Sequence, residues 1–330
     1  MFRGGNHMAV ACTVSLLACT SCALQLPAPM ARTRLERVRN MSMNRSIVAL
    51  VAACGVAQAY AQSPPPAPPV QPRPTCTRQL LQTAVASYLA AQQAGDRTRM
   101  ALAGKVKYLE NMSVVEADHG MWNTALPIAF SRSFYDTDRC RTFSEVIVTA
   151  GAKQHVIGTR LNVDHGKITG IDSLVSSKGD WLFNANSYLK YSSKEDWSAP
   201  KSPASMQQLI SAANSYLDLF SDKVEKAPWG RPCARLEGGA YTNRNNDPHA
   251  TCEVGIPAGV LYIVNRDYVV DEQQGVINVF CRFGNSATGM PDSHTFRLVN
   301  GKIRAVHTIS INLTPGRPSP QADDNGAIVR

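Results

Sequence analysis

The sequence predicts an α+β protein made of two tandem copies of one small domain, and three observations carry that prediction. The first is repetition: "VDHGKITGIDSL", Val163 to Leu174, returns about 135 residues later as "LVNGKIRAVHTI", Leu298 to Ile309. Upstream, "LLQTAVASYLA" (80–90) answers to "LISAANSYLDL" (209–219), and between them "VKYLENM" and "CARLEGG" share a Leu-Glu pair. Matched segments in one order, at a period far beyond solenoid repeats, mean a duplicated domain. The second observation is that each copy opens with apolar residues at helical spacing: Leu80, Leu81, Ala84, Val85 and Tyr88, then Leu209, Ile210, Ala213, Tyr216 and Leu217. The third is that β-rich runs follow, such as "VLYIVNRDYVVD", "GVINVFCRFG" and "KIRAVHTISI", joined by Gly, Asp and Asn turns. Helices first and then an antiparallel meander place the helices on one face of a curved sheet.

The elements follow in chain order. Residues 43–61, "MNRSIVALVAACGVAQAYA", have a basic start at Arg45, a short apolar core and an A-x-A site, the pattern of a signal peptide. Its core is too short to span a bilayer, so no stable membrane insertion is expected once it is removed. Residues 1–42 contain a second export-like run, which makes Met43 the expected start and 1–42 a gene-model extension, with a signal anchor at 8–26 as the alternative. The formal charge is +9. Six arginines face one glutamate in the first 62 residues, so the remainder carries only +4. No basic run interleaved with aromatics follows Cys76, and nucleic acid is not an expected partner.

Residues 62–75 form a Pro-rich linker. The first repeat is assigned to 76–178, an aromatic connector to 179–205, the second repeat to 206–313, and a disordered tail to 314–330. The connector carries Trp181, Phe183, Tyr188, Tyr191 and Trp197, too many aromatics for a solvated linker, and is expected to hold the repeats together as an intramolecular pseudo-dimer. Five cysteines lie beyond the signal. Export and one pair per repeat give Cys76 with Cys140 and Cys233 with Cys252, leaving Cys281 free, although spacing alone does not fix the pairing. Asn111 and Asn312 head N-x-S/T triplets and are expected glycosylation sites if the cell is eukaryotic.

A helical start and a curved antiparallel sheet in about 110 residues, ending in a D/N-G-K-I hairpin, resemble the nuclear transport factor 2-like superfamily, the group of ketosteroid isomerase and SnoaL-like cyclases. "GDWLFNA", "PWGRPCARLEGGAY" and "PDSHTFRL" make the chain similar to the secreted, tandem, fungal kind. The resemblance implies cone-shaped domains and is nearly silent about activity, because the superfamily includes enzymes, binders and scaffolds. Within it, the ketosteroid-isomerase-like cyclases of fungal maleic-anhydride dimer pathways look most similar.

No G-x-S-x-G elbow, H-E-x-x-H, Walker loop or dinucleotide fingerprint is present, so no cofactor and no metal is implied. What remains is an inventory for cofactor-free acid/base chemistry. With Asn300-Gly301 as a two-residue turn, uninterrupted pairing sets His294 opposite His307, with Asp292 and Phe296 on the same apolar face. These residues, with Glu237, are the candidate catalytic set: His307, His294, Glu237 and Asp292. The alternative is that His307, and Asp172 in the first copy, are satisfied by backbone or water in a core. The same register in the first copy puts Thr159 opposite Asp172. Arg235, Tyr262, Phe296, Glu110 and Asp172 are candidate substrate contacts, while an Arg235–Glu237 ion pair is the plainer account of those two.

The function expected is a secreted or secretory-lumen isomerase, lyase or cyclase acting on a small apolar carbonyl compound. The alternative is a secreted ligand carrier or structural protein. The leader reading is open to direct test: N-terminal sequencing of the secreted protein should begin at Gln62, and recovery of any residue before Met43 would contradict it.

Overall fold

The computed structural model describes residues 76–329 except 117, 152, 254, 286–287 and 315–318. The expected extension, signal segment and linker therefore lie outside the described residues. The first repeat begins with helix α1 (Arg78–Ala94), whose N-terminus is capped by the Thr77 side chain accepting from the Leu80 N–H. Gly95 ends it in the left-handed region at φ 64°, where a Cβ would meet the Ala125 backbone nitrogen at 2.4 Å. Strands β1 (Leu102–Glu110), β2 (Ser113–Val114), β3 (Phe130–Asp136), β4 (Arg141–Val148), β5 (His155–Asp164) and β6 (Lys167–Ser176) form one sheet in the order β2-β1-β6-β5-β4-β3.

The connector contributes helix α2 (Ala185–Ser192), and the second repeat opens with α3 (Met206–Asp218), started by a Ser205–Gln208 capping box. Strands β7 (Trp229–Glu237), β8 (Ala240–Tyr241), β9 (Ile263–Asp271), β10 (Val276–Phe283), β11 (Met290–Val299) and β12 (Lys302–Ser310) repeat the same order, β8-β7-β12-β11-β10-β9. Two six-stranded sheets of matching strand order are two tandem copies of one architecture. They are mixed rather than antiparallel, because β1 runs parallel to β6 and β7 parallel to β12. Turn chemistry reveals only neighbouring strands, and these two pairings span the length of each repeat. Among the described residues each repeat opens with one α-helix.

Both disulfides form as expected, Cys76–Cys140 and Cys233–Cys252, and Cys281 is a free, buried thiol. Two disulfides fit a chain that folds in an oxidising compartment. Among the described residues no helix is long and apolar enough to cross a membrane. The tail, expected to be disordered, folds in its described part: β13 (Gln321–Ala322) pairs with β14 (Ile328–Val329). The Leu182 N–H reaches the Pro320 carbonyl at 2.9 Å, and the Tyr191 hydroxyl reaches the Asn325 carbonyl at 2.7 Å.

One face of each sheet packs on its own helix. Leu81, Val85 and Tyr88 of α1 join Val146, Ile157 and Ile171 in one core, and Leu209, Ala213 and Tyr216 of α3 join Ile277, Val279 and Phe296 in another. The opposite faces meet each other. Phe143, Ile147 and Leu174 from the first sheet share a core with Leu236, Phe280 and Ile309 from the second and with Phe183, Tyr188 and Trp197 of the connector. Charges are also buried there. Arg160 lies 4.0 Å from the Phe280 ring centre and donates to the Asn278 side chain and to both the carboxylate and the carbonyl of Asp267. Burial in this contact lowers its basicity to about 10, against the pull of Asp267. The Arg78 guanidinium makes a two-bond fork to Asp271 at 2.9 Å.

At the centre of this contact stands His307. Its Nδ1 lies 2.9 Å from Glu145 of the first repeat and its Nε2 lies 2.6 Å from Glu195 of the connector. Tyr188 and Ser192 donate to Glu145, and Trp197 Nε1 donates to Glu195. Burial opposes the imidazolium charge, but the two carboxylates outweigh it and raise His307 to about 9. Burial likewise opposes the Glu145 anion, and the His307 charge outweighs it, holding that carboxyl at about 2. The folded-state pKa of His307 lies above its ordinary 6.5, so its stabilisation is complete below pH 6.5 and is lost as pH rises through about 9. His307→Gln should lower unfolding free energy by about 3 kcal/mol or more at pH 6. Urea titrations should also find the wild-type advantage shrinking between pH 6.5 and 9, and a pH-independent difference would contradict the clamp.

Candidate functional site

A single extra residue decides what faces where. Val299 pairs with Lys302 and Leu298 with Ile303, but Arg297 then pairs with Ala305, leaving Arg304 as a bulge in β12. Thr169 is the same bulge in the first repeat, between Val163↔Ile168 and Asn162↔Gly170. Because side chains alternate with period two, one inserted residue turns every later residue of that strand to the other face. His294 therefore pairs with Thr308, and His307 pairs with Thr295. The expected cross-strand histidine pair does not exist. His294 faces α3, while His307 faces the first repeat. The matching pair in the first copy is also corrected: Thr159 lies opposite Ser173, and Asp172 lies opposite Arg160.

The helix-facing side of the second sheet carries the candidate site. Cys281 of β10 and Asp292 of β11 are direct cross-strand partners, and His294 follows two residues on. All three are buried. Asp292 Oδ1 accepts from the Ser310 hydroxyl at 2.8 Å and from the Ser293 N–H at 2.9 Å, and its Oδ2 lies 3.4 Å from His294 Nδ1. Burial raises the Asp292 carboxyl to about 8 and pushes the Cys281 thiol well up. Burial, aided by the Arg235 and Arg266 charges, lowers His294 to about 3. Phe296 stacks near His294, with ring centres 6.0 Å apart, and the Tyr216 ring lies 5.5 Å from the imidazole. The Tyr216 hydroxyl is buried and has no hydrogen-bond partner among the described residues.

This group opens into a cavity of about 140 Å³ whose apolar wall includes Phe220, Phe283 and Met290, and whose polar wall includes Asp292, His294, Arg235 and Glu237. Arg235 and Glu237 also line a larger, more open cleft of about 530 Å³. Glu237 is ion-paired to Arg235 and accepts from Trp181 Nε1 at 2.7 Å. The plainer account of those two residues holds, but their pair stands in the wall of both hollows.

The first repeat serves as an internal comparison. Counted from the turn glycines Gly166 and Gly301 through the shared bulge, Asp292, His294 and Ser310 correspond to Ile157, Thr159 and Val175. Cys281, opposite Asp292, corresponds to Val146, opposite Ile157. The first copy thus holds no titratable group at these positions: Val146 and Ile157 stand for Cys281 and Asp292, and Thr159 for His294. Its interior polar groups close on themselves, Tyr88 to Thr159 at 2.7 Å and Thr159 to Ser173 at 2.9 Å.

The remaining candidates fall elsewhere. Glu110, which corresponds to Glu237, accepts from the Tyr108 hydroxyl and the Met121 N–H beside a separate cleft. Asp172 faces the contact between repeats, where burial raises its carboxyl to about 6. Tyr262 is 53 % exposed and lines neither hollow of the second repeat. Phe296 is fully buried behind His294 rather than lining the cavity. The Asn111 side-chain oxygen accepts from the Val175 N–H, and the Asn312 side-chain oxygen from the Thr314 N–H. Sequence reasoning passed over Cys281, Tyr216 and Ser310 as site residues. Cys281 and Tyr216 each gave a signal, as the unpaired thiol and as the tyrosine shared by both helices.

Residues 202–310, the second repeat, match a family described as "Domain of unknown function (DUF8021)". Among curated proteins, none matches the chain. Among solved structures, the chain is similar to an NTF-2 like protein of unknown function from Burkholderia xenovorans LB400, at 11 % identity over 33 % of this chain and 89 % of that one, with a TM-score of 0.23.

Proposed function

We propose that the second repeat is the working half of this protein, a small-molecule site in which His294 and Asp292 carry out proton transfer on a compact apolar carbonyl compound. The reaction class is isomerisation, elimination or cyclisation, in a secreted or secretory-lumen protein of two cone-shaped nuclear transport factor 2-like domains. The observation that carries this reading is the difference between the copies. One fold, twice present, packs Val146, Ile157 and Thr159 in its first interior and Cys281, Asp292 and His294 in its second. Burying a carboxyl and an imidazole where Ile157 and Thr159 fill the same places in the first copy costs solvation energy, and the cavity against them supplies a use.

In this reading the apolar wall of Phe220, Phe283 and Met290 holds the ligand's hydrocarbon part, Asp292 donates to its oxygen, and His294 accepts the proton. His307 takes no part, since it is consumed by Glu145 and Glu195. The 140 Å³ cavity suits one ring, comparable to apolar cavities of about 150 Å³ that bind benzene. A larger substrate, such as a maleic-anhydride-type monomer, would extend past the Arg235–Glu237 pair into the 530 Å³ cleft. Two disulfides support the secretory setting.

A second reading, a ligand carrier without chemistry, is favoured by the presence of one cavity histidine rather than two. Isomerisation of 3-cyclohexen-1-one to the conjugated 2-enone, followed by ultraviolet absorption in chelator-containing buffer, separates the two. The enzyme reading expects a rate above buffer that falls about 10²-fold in His294→Gln and is kept in His307→Gln. Ligand-induced NMR shifts on the second repeat without turnover would establish the carrier instead.

A further inference from the structure

We propose that Cys281, Asp292 and His294 bind one divalent transition-metal ion of the zinc class, with its open coordination position facing the inner cavity of the second repeat. This goes beyond the proton-transfer reading and does not rest on it.

The geometry converges on one atom. His294 Nδ1 faces both other donors, Asp292 Oδ2 at 3.4 Å and Cys281 Sγ at 4.0 Å, and the three donor atoms lie within 4.8 Å of one another. The nitrogen–oxygen spacing is longer than the about 2.9 Å to which an N–H···O bond closes, and the sulfur contact is at the outer limit of a hydrogen bond to sulfur. Both approach the spacings of ligands around an ion: bonds of about 2.0–2.1 Å to nitrogen and oxygen and 2.3 Å to sulfur, set tetrahedrally, separate N from O by about 3.3 Å and S from N by about 3.6 Å. The oxygen is already in place against the nitrogen; the sulfur needs to close by a few tenths of an ångström on the nitrogen, and its distance to the oxygen, within 4.8 Å, has to reach about 3.6 Å.

The donors also sit where a metal site is best built. Cys281 and Asp292 are opposed on adjacent central strands and His294 is two residues along one of them, so the backbone ladder fixes all three. Ser310 and the Ser293 N–H occupy Asp292 Oδ1 and leave Oδ2 to the ion. Tyr216 supplies a buried hydroxyl that has no hydrogen-bond partner among the described residues, suited to a water or substrate oxygen on the ion. The nearby cations are already matched, Arg235 by Glu237 and Arg266 by Asp218. A thiolate and a carboxylate neutralise a 2+ charge, and the mixed sulfur, nitrogen and oxygen set suits Zn²⁺ or Co²⁺ rather than Mg²⁺ or Ca²⁺. Binding displaces the thiol and carboxyl protons to solvent. Three protein ligands with an open position form the catalytic rather than the structural type of site.

The test is cobalt titration of the full chain, chelator-stripped and dialysed, with both disulfides intact. One Co²⁺ per chain should bind with a thiolate-to-cobalt charge-transfer band in the near ultraviolet, and Zn²⁺ should displace it. Cys281→Val, which installs the first repeat's residue at the matching position, should abolish the band, and His294→Gln should weaken binding at least about 10-fold, with circular dichroism checking that both fold. Wild-type protein with no such band, or a band unchanged in Cys281→Val, overturns the proposal without reference to any variant's activity. Because the isomerisation assay is run with chelator present, failure of either idea leaves the other standing.

Discussion

The bulge at Arg304 is the constraint on which the rest of the second repeat depends. A strand in a two-faced sheet has no way to move one side chain alone, so inserting a residue transfers the whole segment from Ala305 to Ser310. Val306, Thr308 and Ser310 are turned toward the helix, and Ala305, His307 and Ile309 toward the other repeat. Without it, His307 would enter the inner cavity and Ser310 would no longer hold the Asp292 carboxyl. Thr169 repeats the device in the first copy, so the bulge belongs to the fold that was duplicated rather than to either specialisation.

Facing His307 outward gives the contact between repeats its character. The two sheets meet through aromatic and aliphatic side chains, with one imidazolium shared between Glu145 and Glu195 and one guanidinium, Arg160, satisfied by Asn278 and Asp267. Ions buried this completely need all their partners, and here the partners come from different parts of the chain. Neither repeat alone satisfies these charges. The connector takes part as a member of the core, through Tyr188, Trp197 and Glu195, which makes the 179–205 segment part of the fold and not a tether between finished domains.

Duplication leaves the inner faces free to diverge, because the outer faces are held by their mutual contact. The first inner face closes around Tyr88, Thr159 and Ser173. The second holds a thiol, a carboxyl and an imidazole where the first has Val146, Ile157 and Thr159, beside a cavity. Metal binding draws on Cys281 and on the same His294 and Asp292 that carry proton transfer, which is why both readings concentrate in one place while the rest of the molecule is explained by packing.

The sequence by itself determined the duplication, the helix at the head of each copy, the disulfide count and the residue types available for chemistry. Each of these rests on local pattern: shared words, spacing of apolar residues, and pairs of cysteines divided between two repeats. It set Asp292 and His294 on one strand face, and Arg235 with Glu237 on another, because alternation along β11, and along β7 from Ala234 onward, is uninterrupted. It failed for His307, Asp172 and Thr159 because a bulge leaves no mark in the alternation of apolar residues: Ile303 and Val306 both face the core, and only pairing with β11 reveals that they do. The parallel partners β1–β6 and β7–β12, the partners of His307, and the folding of the tail on the connector were likewise decided by tertiary structure. They depend on residues more than sixty positions apart, whose meeting is set by packing of whole sheets and not by any local preference.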